Sequence, residues 1–292
     1  LTDERTEQTR PESTAYVDAH HHLWDLGVRD QPWTVGLAPL RRSFAVADLW
    51  AALEGTDIRA TVLVQTITAA EETPELLALA AAEPLVAGVV GWVELDSPEV
   101  ADRLAELRSG LGGDALVGVR HQVQQEPDLR WLRRPPVLAG LAAVGEAGLA
   151  YDLLVTADQL PAAVEAVRAL PEVRFVLDHA GNPPVEPAAE AVWRRAVLEL
   201  AHAENVTVKL SGLLTRAYPN PLPPDRLRSW VDTLLAGFGP SRMMFGSDWP
   251  VCTLTSSYGE VYQRAQDITA GLSAAERQEL FAGTATRIYR LV

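Results

Sequence analysis

Short runs rich in β-branched and apolar residues recur eight times along the 292 residues of this chain. They span residues 16–23, 60–66, 85–93, 115–123, 150–155, 173–179, 206–211 and 242–248. Between them lie segments rich in Ala, Leu, Glu and Arg with helical spacing, at 47–55, 97–110, 134–148, 158–170, 187–203, 224–237 and 276–291. Nearly uninterrupted apolar strands that alternate with helices require a parallel sheet covered by those helices. Eight repeats close most simply into one α/β domain, a single (β/α)8 TIM barrel over residues 15–292 with a C-terminal helical extension. No Gly-rich phosphate fingerprint follows the first run, which argues against a doubly wound dinucleotide fold. The polar stretch at 1–14 lacks the apolar core of a signal peptide and is expected to be a mobile tail.

A barrel of this kind gathers its chemistry at the C-terminal ends of its strands, and the polar residues of this chain sit at those ends. The first run carries His20 and His22 on one face, with His21 on the other and Asp18 expected one step deeper on the His20 face. The fourth ends in Arg120-His121-Gln122, the sixth in Asp178-His179, the seventh in Lys209 and Ser211, and the eighth in Asp248. Five of the six histidines fall at strand ends, and only His202 falls in a helix. Arg120 and His121 point to opposite faces, so at most one of the two aims straight into the pocket, and the sequence leaves open which. Lys209 reads either as a site group or as the buried ion-pair partner of Asp178 or Asp152. Trp24, Trp33, Trp92 and Trp249 read as pocket wall or core. The longest non-helical insert, residues 25–43, follows the first strand and belongs at the substrate mouth.

Composition removes several function classes. Against 39 acidic residues stand 25 basic ones, a formal net charge of -14. Nucleic acid and anionic membrane, which need a positive face, are thereby excluded as main partners. Hydrophobic residues make up 48%, ample for a core, yet the apolar stretches are too interrupted to span a bilayer. Cys252 is the only cysteine, so no intrachain disulfide can form, and a reducing, cytoplasmic setting is expected.

Several motifs in order resemble one family. They are Val17-Asp18-Ala19-His20-His21-His22-Leu23-Trp24, Pro32-Trp33, Leu37-Ala38-Pro39-Leu40-Arg41-Arg42, Gly118-Val119-Arg120-His121, Tyr151-Asp152-Leu153-Leu154, Leu177-Asp178-His179-Ala180-Gly181, Lys209-Leu210-Ser211-Gly212 and Phe245-Gly246-Ser247-Asp248-Trp249-Pro250. Together they resemble the amidohydrolase superfamily, and within it the branch of sugar-acid lactonases. The resemblance runs from about residue 16 to the end. It implies a barrel hydrolase acting on a small lactone. By position, His20, His22, His179 and Asp248 match residues that in metal-dependent relatives ligate zinc or another divalent ion. A further strand-end histidine of many such relatives has no counterpart here, where strand seven offers Lys209-Leu210-Ser211. Catalysis with one divalent ion, zinc first, and catalysis without metal therefore both stay open.

On this reading Asp248, His179, His20 and His22 are the catalytic candidates, with Asp248 as the base that takes a proton from water. Arg120, His121, Arg41, Arg42, Lys209, Trp33 and Trp249 are the candidates for substrate contact. A metal-dependent decarboxylase or another hydrolase on the same barrel is the alternative, and a catalytically silent sugar-acid-binding barrel is a third reading.

Overall fold

The computed structural model describes residues 15–291, so the tail expected at 1–14 lies outside the described residues. Eight strands follow one another around a ring in chain order: β1 (Tyr16–His21), β2 (Ile58–Val64), β3 (Val86–Gly91), β4 (Leu116–His121), β5 (Ala150–Leu153), β6 (Arg174–Leu177), β7 (Val206–Leu210) and β8 (Met243–Phe245). Each pairs with the next in parallel. The ring closes just beyond β8, where Asp248 N donates to His20 O at 2.8 Å and His22 N to Trp249 O at 2.7 Å. At this seam Gly246 is required for space, because a Cβ there would lie 2.7 Å from the Cβ of His20.

Helices α1 (Val46–Ala52), α2 (Glu72–Ala82), α3 (Val100–Ser109), α4 (Pro135–Glu146), α5 (Leu160–Ala169), α6 (Pro187–Ala201) and α7 (Pro224–Phe238) cover the connections between strands. After β8 come α8 (Tyr258–Ile268), α9 (Ala274–Gln278), a π-helical turn (Glu279–Gly283) and α10 (Thr284–Tyr289). Two of these, α2 and α8, are absent from the sequence reading. The α2 sequence is apolar around most of its circumference and carries a proline in its first turn, so it shows little periodicity. The start of α8 did carry a signal, the capping box of Ser257 and Glu260. None of the described helices is long and apolar enough to cross a membrane.

Two apolar clusters hold the barrel. The larger lies between strands and helices, and buries Trp193, Trp230 and Phe175 among others. The smaller fills the ring interior with Val62, Val64, Val90, Ala150, Val176 and Met244, and is capped by Ala282, Ala285 and Tyr289 of the C-terminal segment. The C-terminal extension is therefore the plug at the end opposite the strand-end residues.

The pairing of β1 with β2 slips between Asp18 and His21, where three steps of β1 oppose two of β2. This bulge corrects the expectation for Asp18. Ala19 joins the interior cluster, and His20 also points inward, so the alternation breaks there. Asp18 faces outward instead. Its carboxylate accepts from Ser247 N at 2.9 Å, Ser247 Oγ at 2.6 Å and Tyr258 Oη at 2.9 Å. His21 packs under the helices, with Nε2 and Thr61 Oγ1 2.9 Å apart.

Burial, with the neighbouring His22 adding to it, lowers the His21 pKa to about 3. The folded protein thus binds a proton at His21 far less readily than the unfolded chain, whose histidine titrates near about 6.5. The contribution is complete above that value and is lost as pH falls below it. Urea unfolding at pH 8 and pH 5.5 is expected to show a loss from His21 of roughly 1.4 kcal/mol. A His21→Gln variant should lose correspondingly less over the same interval.

Candidate active site

Irregular backbone aims the candidate side chains. Asp248, just past β8, has φ of 56°, and His179, Ala180 and Asn182, just past β6, have φ of 50°, 53° and 53°. Left-handed residues other than glycine cost roughly 1–3 kcal/mol each and persist where their surroundings hold them. Here the holding contacts are His179 Nδ1 to Ser211 Oγ at 2.9 Å and Asn182 Nδ2 donating to Val155 O at 2.8 Å. The Asp248 backbone is held by its N–H to His20 O at the seam.

His20, His22 and Asp248 bring one ligand atom each within 4.8 Å of one another. The two Nε2 atoms are 3.2 Å apart, and Asp248 Oδ1 lies 3.5 Å from that of His22 and 3.7 Å from that of His20. Around a tetrahedral ion with bonds of about 2.0–2.1 Å, ligand atoms are separated by about 3.3–3.4 Å. The triangle therefore fits one face of such a site. His22 Nδ1 reaches Val64 O at 2.8 Å and so carries a proton, which in the neutral ring leaves Nε2 its lone pair, the tautomer such a site needs. His179 falls outside this triangle and groups instead with His20 and Asp178.

Beneath the triangle lies a buried network of charges. Lys209 Nζ lies 2.5 Å from Asp152 Oδ2, 3.0 Å from Asp178 Oδ1 and 3.1 Å from His20 Nδ1. Arg120 spans β4 to β2 and β6, donating to Gln65 O at 2.5 Å and to Asp178 Oδ2 at 3.0 Å. Tyr289, from the C-terminal plug, donates to Asp152 at 2.8 Å. Burial by itself would raise Asp178, but Lys209, His20 and Arg120 hold its carboxyl well below the usual range. Burial pushes Asp152 upward although Lys209 opposes it. Burial also drives His20 well below the ordinary histidine value and lowers His179, so both rings are neutral at pH 7.

Above the network opens a cavity of about 190 Å³, walled by His22, Arg120, His179 and Asp248 on the reacting side. Trp33, Gln122, Gln124, Asn182 and Arg216 complete most of the wall. Drug-sized ligands occupy clefts of about 300–1,000 Å³, so this one suits a smaller molecule.

Residues 17–291 match the family model described as amidohydrolase. The chain belongs to the amidohydrolase family. An L-fucono-1,5-lactonase of Burkholderia multivorans is 40% identical over 288 residues, covering 94% of this chain and 96% of that protein. One from Burkholderia ambifaria is 36% identical, covering 95% and 96% respectively. Among solved structures, an amidohydrolase from Burkholderia multivorans with bound zinc superposes with a TM-score of 0.90 at 38% identity, covering 95% of this chain and all of that one.

Not every residue expected at the pocket of this amidohydrolase reaches it. Arg120 enters the cavity wall and His121 does not, which decides between them. His121 lies against the Trp131 ring with centroids 4.3 Å apart, and bonds Glu126 and Trp92. Arg41 pairs with Asp30, and Arg42 with Asp48, both on the exposed side of the 25–43 insert. Lys209 is buried in the network below the cavity floor. Trp249 packs edge-on against Phe44, behind the wall, whereas Trp33 does face the cavity. Gln122, Gln124, Asn182 and Arg216 were missed as pocket residues. Only Gln122 carried a signal, directly after the strand-four end. Arg216 lies six residues past β7 and is brought in by a 3₁₀ turn (Leu214–Ala217).

Gly212 lies where β7 passes the site, with φ of 64°, and a Cβ there would stand 2.5 Å from His179 Nδ1 and 3.1 Å from Asp248 Oδ2. Displacement of a reacting group by about 1 Å can cost about 10²-fold. Gly212→Ala is therefore expected to lower turnover by about ten- to a hundredfold. Steady-state kinetics, with circular dichroism to verify folding, measure this.

Proposed function

We propose that this amidohydrolase opens a sugar-acid lactone of the aldonolactone class. The observation that carries the reading is the Asp248 carboxylate at the cavity wall, beside two histidine Nε2 atoms and the side chains of Arg120 and His179. The rest of the lining supports a neutral, polyhydroxylated ring. Gln122, Gln124, Gln125 and Asn182 offer amides and Trp33 offers a flat face. A dicarboxylate would call for two or more free cationic anchors, yet Arg120 is already paired with Asp178, which leaves Arg216 as the one remaining arginine of the described wall. The names of the two Burkholderia lactonases point the same way.

In the reaction, Asp248 takes a proton from water, whose oxygen adds to the lactone carbonyl carbon. The ring C–O bond then breaks, and Asp248 returns the proton to the departing alkoxide. Arg120 and His179 stabilise the developing oxyanion. With Ser211 donating to Nδ1, His179 turns Nε2–H towards the cavity. His20, His22 and Asp248 would hold a divalent ion, zinc first. Such an ion, when bound, lowers the pKa of water and polarises a carbonyl.

Asp248→Asn removes the base with little change of shape. Turnover of aldono-1,5-lactones, followed by acid release, is expected to fall by at least about 10²-fold, at the low end of what a positioned base contributes. Near-normal turnover would remove Asp248 from this role.

A further inference from the structure

The interior of the barrel holds one hydrogen-bonding choice that the reaction does not by itself explain. His22 is settled, with its proton on Nδ1 at Val64 O and its Nε2 lone pair facing the site. His20 has two candidate partners at Nδ1. Lys209 Nζ stands 3.1 Å away, and Asp178 Oδ1 stands 3.4 Å away on the same side of the ring. A lysine ammonium can only donate and a carboxylate can only accept. The two partners therefore demand opposite tautomers of His20.

If Lys209 donates to Nδ1, the His20 proton sits on Nε2, pointing at His22 Nε2 3.2 Å away. If Nδ1–H donates to Asp178, the His20 Nε2 lone pair joins that of His22. Two lone pairs at that separation call for a cation between them. One pair of nitrogens thus shares either a proton or a metal ion, and the Nδ1 partner selects which.

The structure favours the first arrangement. Lys209 is fully buried and held from below by Asp152, which Tyr289 of the C-terminal plug clamps through both carboxylate oxygens. Asp178 Oδ1, the acceptor that the second arrangement would use, stands farther from Nδ1 than the ammonium does and already meets that ammonium at 3.0 Å. Arg120 Nη1, 3.3 Å from His20 Nε2, is a donor that would suit the second arrangement, but it is engaged by Asp178 Oδ2, and that arrangement would set the ammonium against Nδ1–H at 3.1 Å and two lone pairs against each other at 3.2 Å.

We infer that Lys209 is a positioning residue that sets the His20 tautomer, so that the site presents His20 Nε2–H as a hydrogen-bond donor and holds a divalent ion only loosely. This rests on His20, His22 and Asp248 being the reacting end of the pocket. Metal binding requires Lys209 to release Nδ1 and the His20 proton to move, by exchange with solvent, from Nε2 to Nδ1, where it donates to Asp178 Oδ1. Without metal, His20 Nε2–H donates to His22 Nε2 and fixes that ring beside Asp248.

Two measurements test it, neither of which uses turnover. Two-bond 1H–15N spectra of the metal-free wild type, with His20 assigned by its loss in His20→Gln, report the tautomer directly. Protonation at Nε2 is expected, and protonation at Nδ1 overturns the inference. Zinc affinity is then read by competition with a chromogenic chelator in Lys209→Met, and in Lys209→Met paired with Asp152→Asn. The double variant removes one charge of each sign and leaves Asp178 paired with Arg120. Zinc is expected to bind the folded variants at least about fivefold more tightly than wild type, with the His20 proton moved to Nδ1. A smaller gain, or a weaker affinity, overturns the inference. If neither variant folds, the wild-type spectrum decides alone. A protein that fails to open lactones but shows these shifts loses the proposed function and keeps this inference, and the converse holds equally.

Discussion

The Lys209 ammonium, sealed inside the barrel between Asp152, Asp178 and His20, is the contact on which the site depends. A lone buried cation costs several kcal/mol, so it persists only among compensating carboxylates. Two strands, β5 and β6, supply those carboxylates, and β4 adds Arg120 to bind the second of them. The network ties four neighbouring strands to β1 through His20. Removing one member leaves an unpaired charge with no water to solvate it, so the group acts as a unit. Above it, the candidate reacting groups stand on a buried floor that the C-terminal plug completes through Tyr289.

The closing seam of the barrel does the second part of the positioning. The β1 bulge turns His20 and His22 inward together, His22 reaching the cavity wall, and sends Asp18 outward to Ser247 and Tyr258. The same seam brings Asp248, in left-handed backbone, to within 3.5 Å of His22. Glycines at 246 and 212 permit these approaches, each where a single Cβ would strike a site residue.

The architecture was legible because each strand is an almost unbroken apolar run, and all eight lie where those runs predict. The runs overreach at their C-terminal ends, and the reason is physical. Leu23, Asp178, His179 and Asp248 continue the chain beyond the ladder, where it turns aside to present side chains to the cavity. His20, His22, His179, Arg120 and Asp248 were legible as strand-end polar residues in an apolar context. The direction of Asp18 was not, since a bulge leaves no mark in the side-chain pattern. Arg41 and Arg42 were overvalued because partners such as Asp30 and Asp48 become visible only once the insert has folded. The pocket amides Gln124 and Asn182 were missed because such residues are ordinary in loops. Only three-dimensional placement sets them apart.

This cavity is proposed to open neutral sugar-acid lactones, with Asp248 moving the proton and the divalent ion held only loosely. The most direct measurement is acid release from a panel of aldono-1,4- and aldono-1,5-lactones by the purified protein, before and after exhaustive chelation. Release from one or more neutral aldonolactones is expected, and it survives removal of metal. Release from anionic lactones alone, from none of the panel, or only with metal present would contradict this.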